Sequence, residues 1–280
     1  MKLIGIDFSS APTKKKPIAI AYAEWQADKV VLTGLKSLIR VDDFTALLKT
    51  EQNYISAIDM PFGLARELVE GMKWPGAGIT NERAWADLMR FYASLTRDEV
   101  RAVFRAWCDA RPVGKKFAHR ACDKPAGSSP SMKWVNPPVA LMLHAGVPCL
   151  QEAGVHIPGM QIGDPTRIAI EAYPGFLARQ VLNRQSYKSD DPKKESPDRR
   201  MARSELLCAM EEGMLLGIRV VMPRYIKAEL LEDAKADHLD AALCALVAGW
   251  CQKRAESNYG LPPNLDPVEG WIAPVPWKKG

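Results

Sequence analysis

The chain has 280 residues, 47% hydrophobic and 25% charged, with 38 Lys and Arg against 33 Asp and Glu for a net charge of +5. That composition is ordinary for a soluble globular protein, and no apolar run approaches the roughly 18–20 residues that a membrane span needs. The length admits one large domain or two small ones, and the mild positive charge permits a phosphate-rich partner without demanding one. The N-terminus enters strand-like residues directly, with no apolar export region or cleavage site, so a cytoplasmic location is the expectation. Six cysteines and four histidines are scattered without a C-x-x-C pair. They give no zinc pattern, and the cysteines read as small buried hydrophobes.

In chain order, residues 2–8 (KLIGIDF) form a short apolar run suited to a strand buried on both faces. A turn containing Pro, Ser and three lysines follows over 9–17, then strands over 18–25 and 29–36 joined by a tight link at Ala27-Asp28. Asp42 and Asp43 open a short helix, and 54–60 (YISAIDM) is a further strand stopped by Pro61. A helical connection between the third and fourth strands suits a crossover that makes the first and fourth parallel neighbours.

From 61 to 165 helices and Pro/Gly-rich loops take over. The clearest helix starts at Thr96 with Glu99 three residues on, a capping box, and carries Val100, Val103, Phe104 and Trp107 on one face. Strand character returns at 167–173 and ends at Pro174. A helix (GFLARQVL), a polar loop over 184–200, a helix near 201–216, a strand at 218–222 and one long helix over 226–253 are expected next, with a closing edge strand in the final segment. The expected organisation is a single domain: an α/β core from 1–60 and 166–280, interrupted by a helical insertion over 61–165.

Two acids end apolar strands, Asp7 in GIDFSS and Asp59 in AIDMPFG. A charge in that position is costly unless solvated, paired or metal-bound, and the carboxyl ends of strands are where open α/β sheets bind ligands. Asp237 and Asp240, spaced i, i+3, project from one helix face, and the Ala- and Leu-rich residues after them let that helix press onto the sheet. His238 points away from that face. Four converging carboxylates repel by roughly 1 kcal/mol per pair at about 4 Å in water and about 4 at an effective dielectric of 20. Divalent cations remove that cost. Oxygen-only ligands select Mg²⁺ or Mn²⁺, and two such ions about 3.5–4 Å apart suit phosphodiester hydrolysis.

GID near the N-terminus, an acid ending the fourth strand and D-x-x-D-A-A-L-x-A on the last long helix resemble the RuvC-type branch of the RNase H superfamily. Taken in order, GIDFSSAP, AIDMPFGL, EAYP and DHLDAALCALVA are similar to a family of unknown function described as predicted nucleases with an RNase H fold. The resemblance spans about 1–62 and 167–250. It implies an RNase H-like mixed sheet flanked by helices, the helical insertion following the fourth strand, and Asp7, Asp59, Asp237 and Asp240 as metal ligands. The fourth-strand acid is Glu in the RuvC type and Asp here. Glu171, in the E-x-Y-P motif, is either a further ligand or general base, or a carboxylate organising the turn at Pro174.

Basic residues that could grip a nucleic-acid backbone are Lys14, Lys15 and Lys16 in the turn after Asp7, and Arg97, Arg101 and Arg105 at i, i+4, i+8. Lys115, Lys116, His119 and Arg120 follow, near Trp134, which could stack on a base. Residues 97–133 hold nine Lys and Arg against four Asp and Glu, a surplus that favours substrate contact over a merely solvated face. Two rivals stand beside the nuclease reading. An actin-like or sugar-kinase-like phosphotransferase needs a second copy of the fold and a Gly-rich nucleotide loop, and the sequence has neither. A non-catalytic binding module would leave the four acids without a task.

Overall fold

A computed structural model describes residues 1–81 and 83–277. The architecture is α/β: a seven-stranded mixed sheet with helices on both faces. Strand β1 (Lys2–Asp7) pairs antiparallel with β2 (Ile18–Gln26), and β2 with β3 (Lys29–Leu38). Ala27 and Asp28, both at positive φ, make the two-residue link whose twist suits a hairpin. Helix α1 (Val41–Thr50) then crosses over to β4 (Tyr54–Asp59), which lies parallel to β1. The expected neighbour relation therefore holds, and it holds residue for residue: Asp7 lies opposite Asp59.

Next come α2 (Arg66–Gly71), α3 (Arg83–Ser94), α4 (Arg97–Asp109), α5 (Asp123–Ala126) and α6 (Val139–Ala153). The Thr96–Glu99 capping box opens α4 as the sequence implied. The chain re-enters the sheet as β5 (Val155–His156) and β6 (Asp164–Ala172), followed by α7 (Pro174–Leu182), α8 (Pro197–Glu212), β7 (Val220–Val221), α9 (Arg224–Glu232) and α10 (Asp237–Gln252). Strand order is β5-β6-β4-β1-β2-β3-β7.

Two expectations change. The single helix over 226–253 is two, because Ala236 adopts a left-handed conformation (φ 58°) that ends any helical continuation and starts α10 afresh at Asp237. No Gly or Pro marks that break. The final segment adds one parallel bridge, Ala172 to Ala273, and the edges are held instead by the two-residue strands β5 and β7. Within 61–165, β5 pairs with β6, and α3, α4 and α6 join α1 in the aromatic-rich layer over one face of the sheet.

Side-chain alternation along the strands sorts the two faces. Ile4, Ile6, Ile18, Ile20 and Ile58 meet Phe44, Trp85, Tyr92 and Phe104 on one side. Leu3, Ala19, Ala21, Ile55 and Ala57 meet α10 on the other, where Ala241, Ala242, Ala245 and Ala248 are fully buried. A Cβ at Gly5 would lie 1.9 Å from the Ala241 carbonyl and 2.3 Å from the Ala245 nitrogen, so this glycine lets α10 lie directly on β1.

Candidate functional site

The close seat of α10 fixes the site. Asp7 and Asp59 end two adjacent parallel strands, spaced about 4.8 Å apart. Each lies two residues beyond a position that faces α10, Gly5 and Ala57, so alternation aims both carboxylates to that face. Asp237 and Asp240 lie in the first turn of α10, where the helix N-terminus favours negative charge. Asp240 is fully buried; Asp7, Asp59 and Asp237 keep part of their surface open to a cavity of about 640 Å³ at the carboxyl end of the strands. The four acids predicted from the motifs are thus brought to one place.

Two further residues belong to this site, and sequence reading passes over both. The Tyr187 hydroxyl donates to Asp240 Oδ1 at 2.6 Å, and the Lys188 ammonium donates to Asp240 Oδ2. They come from the polar loop between α7 and α8. The dipeptide YK between an aromatic-bearing helix and a charge-mixed stretch carries no periodicity that would single it out.

Among the described residues Lys188 is the one cation acting on Asp7, Asp59 and Asp237 together, and it does not balance four acids. Burial and repulsion from Asp240 push the Asp7 carboxyl well above its ordinary range, with Asp59 and Asp237 adding to the shift and Lys188 opposing it. The same two causes raise Asp59 to about 7. Burial, followed by the Asp233 charge, raises Asp237 to about 6. Burial first, and repulsion among the acids second, thus favour the protonated form of Asp7, Asp59 and Asp237.

Glu171 reaches the cavity from the other face of the sheet. It pairs in register with Ile58, not Asp59, and so leaves β6 on the aromatic face, yet it lines the same cavity as Asp7, Asp59 and Asp237 and its charge helps to raise Asp59. There it is buried, and Arg120 grips it with two bonds of 2.7 Å while the Phe62 amide donates to Oε2 at 2.9 Å. Glu171 neither offers a free ligand oxygen set nor organises the turn at Pro174; it organises the turn after Asp59. Burial still holds its carboxyl above the ordinary value, against the pull of Arg120.

Arg120 also lines the acidic cavity, but its guanidinium is committed to carboxylates. At 3% exposure its guanidinium also binds Asp123 Oδ1 at 3.0 Å and the Glu269 carbonyl at 3.1 Å. This buried pair ties the 61–165 layer and the C-terminal segment to β6.

The other basic candidates divide by position. Lys16 lines the acidic cavity and lies 3.6 Å from Asp190, while Lys14 and Lys15 are exposed beside it. Arg97 donates to the Ser10 carbonyl at 3.1 Å, and Arg101 pairs with Asp98 at 2.7 Å. Arg105, Lys115 and Lys116 are exposed but line neither cavity of the site. Trp134 packs against Phe117, ring centroids 6.1 Å apart, and does not present a free face to the cleft. His238 faces away as expected, bonding Glu229 at 3.1 Å and Ser37 at 3.2 Å.

The donor set, all carboxylate oxygen with surplus negative charge, fits a hard divalent cation. Its present spacing does not: among the described residues no three His, Cys, Asp or Glu side chains close around one point, and Lys188 holds Asp240. Among the described residues no helix is long and apolar enough to cross a membrane. Comparison with known protein families, curated proteins and solved structures gave no match to this chain.

Proposed function

We propose that the chain is a divalent-metal-dependent nuclease on an RNase H-like fold. One observation carries the reading: Asp7, Asp59, Asp237 and Asp240 converge at the carboxyl end of parallel strands, where burial and mutual repulsion raise Asp7, Asp59 and Asp237 and, among the described residues, Lys188 is the one cation acting on all three. The sheet order β3-β2-β1-β4-β6, antiparallel through β1 and parallel beyond it, supports the fold assignment that the motifs imply. A kinase-like reading needs a second copy of this sheet, and the described residues form one.

In this reading Asp7, Asp59, Asp237 and Asp240 would hold Mg²⁺ or Mn²⁺, which when bound supplies Lewis acidity and a lowered pKa for water. Tyr187 fixes the orientation of Asp240 through its hydroxyl. Lys188, half exposed and bonded to Asp240, would yield that carboxylate to a bound cation, leaving its ammonium free to meet a substrate phosphate. Water adds to phosphorus, the bond to the sugar oxygen breaks, and the proton from water ends on the leaving oxygen.

The test is metal-dependent cleavage of labelled single-stranded, duplex, hybrid and branched nucleic acids by wild type and Asp7→Asn. Cleavage with Mg²⁺ or Mn²⁺, abolished by EDTA and reduced at least about 100-fold in the variant, is expected. ATP turnover without cleavage would transfer the site to the phosphotransferase class; neither activity, with no Mn²⁺-induced rise in Tm at millimolar metal, would leave a binding module.

A further inference from the structure

Beside the acidic cavity lies a second one, of about 370 Å³, floored by one face of α7. Pro174, Ala178 and Leu182 recur there at i, i+4, i+8, with Arg179 next to Ala178. Asn183 ends the helix at positive φ (54°), and the chain that follows brings Arg184 to the same cavity, with Lys188 further along. Asp59 is the one carboxylate among the described lining residues, and Lys188 acts against its charge.

The two arginines leave positive charge over. Among the described residues neither has a carboxylate partner. An arginine near the end of a helix ordinarily serves that helix's last carbonyls, but Arg179 turns away from them. Its guanidinium donates to the Ala126 carbonyl and, at 3.3 Å, to the Tyr173 hydroxyl, with Cζ 5.2 Å from the Tyr173 ring centroid. Those contacts fix the group while leaving N–H donors over. Arg184 is exposed and, among the described residues, makes no hydrogen bond, so its whole donor fork is open to a ligand.

We infer that this cavity binds a phosphate monoester, its phosphate held by Arg179 and Arg184 and its organic group on the apolar floor of α7. Guanidinium forks fit phosphate oxygens with paired hydrogen bonds. Two unmet positive charges match a monoester, which carries about −1.5 to −2 at pH 7, better than a diester, which carries about −1. The volume falls within the roughly 300–1,000 Å³ of small-molecule sites and leaves room for the group that the phosphate bears. Two sources supply this chemistry, a free mononucleotide and the phosphorylated end of a nucleic-acid strand. Asp59 and Lys188 line both cavities, so a monoester held over α7 lies beside the acids. Binding here does not depend on the nuclease reading, since the cations are the protein's own.

The experiment is done in EDTA, by thermal melting and titration calorimetry. Its ligands are thymidine 5′-monophosphate, thymidine, the diester thymidylyl-thymidine, and one oligonucleotide carrying a 5′-phosphate, a 3′-phosphate or neither. Thymidine 5′-monophosphate at about 10 mM should raise Tm by about 2–4 °C and thymidine should not, while the diester should bind at least about fivefold more weakly than the monoester. Arg184→Ala should weaken monoester binding about tenfold and Arg184→Lys less. Arg105→Ala, at an exposed cation outside both cavities, should leave it unchanged. A phosphorylated strand bound at least about fivefold tighter than the bare one makes the source a strand end; equal binding of all three, with the mononucleotide still bound, assigns the cavity to free mononucleotides. No Tm rise with the mononucleotide or either phosphorylated strand, a diester bound as tightly as the monoester, or an affinity that Arg184→Ala leaves unchanged overturns the inference. Metal is absent throughout, so such a result leaves the nuclease reading standing, and a failure of metal-dependent cleavage leaves this site standing.

Discussion

At the carboxyl end of the sheet, Glu171 on the aromatic face and Asp7 with Asp59 on the α10 face are both drawn into the protein, but their charges are balanced differently. Glu171 shares its site with a saturated guanidinium: Arg120 donates to it twice and to Asp123 besides. Asp7 and Asp59 share theirs with two further acids and one half-exposed lysine. All three line the same cavity, but a carboxylate whose charge is met inside the protein is committed to its partner, whereas carboxylates whose charge is left unmet are available to a ligand that brings the missing charge.

The contrast is broken most sharply at Arg120. Arg120→Ala leaves Glu171 and Asp123 buried without their partner and should cost about 3–5 kcal/mol, read as a lower urea midpoint at unchanged slope. A loss below about 1 kcal/mol would mean that these carboxylates reach water. The opposite face is tested by Gly5→Ala, whose Cβ would strike the Ala241 carbonyl; displacing α10 should cost about 1–3 kcal/mol and weaken Mn²⁺ binding with it.

Lys188→Met sharpens the difference within the acidic cluster. Removing the ammonium should lower the metal-free stability by about 1–2 kcal/mol, because Asp240 loses a charged hydrogen bond. Because the same ammonium competes with a cation for Asp240, the Tm rise produced by Mn²⁺ should be larger in the variant than in wild type. An equal or smaller rise would show that Lys188 and the metal do not compete.

The smallest effect is in pH. Asp7 and Asp59 hold protons in the folded chain that the unfolded chain has released above about pH 4. The folded state binds more protons there, so metal-free stability is greatest at low pH within this window and falls as pH rises towards 7, where Asp59 titrates. The expected fall is about 2–4 °C in Tm, what roughly 1 kcal/mol gives in a chain of this size. Millimolar Mn²⁺ should reverse its sign, since the metal binds the deprotonated carboxylates. A flat metal-free profile with no metal dependence would remove the charge imbalance from the account.

Much of the acidic site is legible in the amino-acid sequence. Apolar runs ending in a single acid place Asp7 and Asp59 at strand ends, and the helical crossover makes those strands parallel neighbours. The i, i+3 spacing places Asp237 and Asp240 on one helix face, though not the break at Ala236 that puts them in a first turn. Tyr187 and Lys188 stay hidden because their partner Asp240 is more than fifty residues away and nothing in a polar loop announces where it folds back. The face from which Glu171 reaches the cavity is hidden for a related reason: it depends on the β4–β6 register, and a one-residue difference sends a strand side chain to the other side.

The sequence by itself therefore determined where most strands and helices lie, that Asp7 and Asp59 close two of the strands, and that a small-residue helix carries the other two acids. These follow from periodicity and side-chain volume, which act over a few residues. Only the tertiary structure decided which charges are met. Arg120 reaches Glu171 across 51 positions, and Lys188 reaches Asp240 across 52. The balance of a buried charge depends on what lies within a few ångströms in space, and no local pattern encodes that.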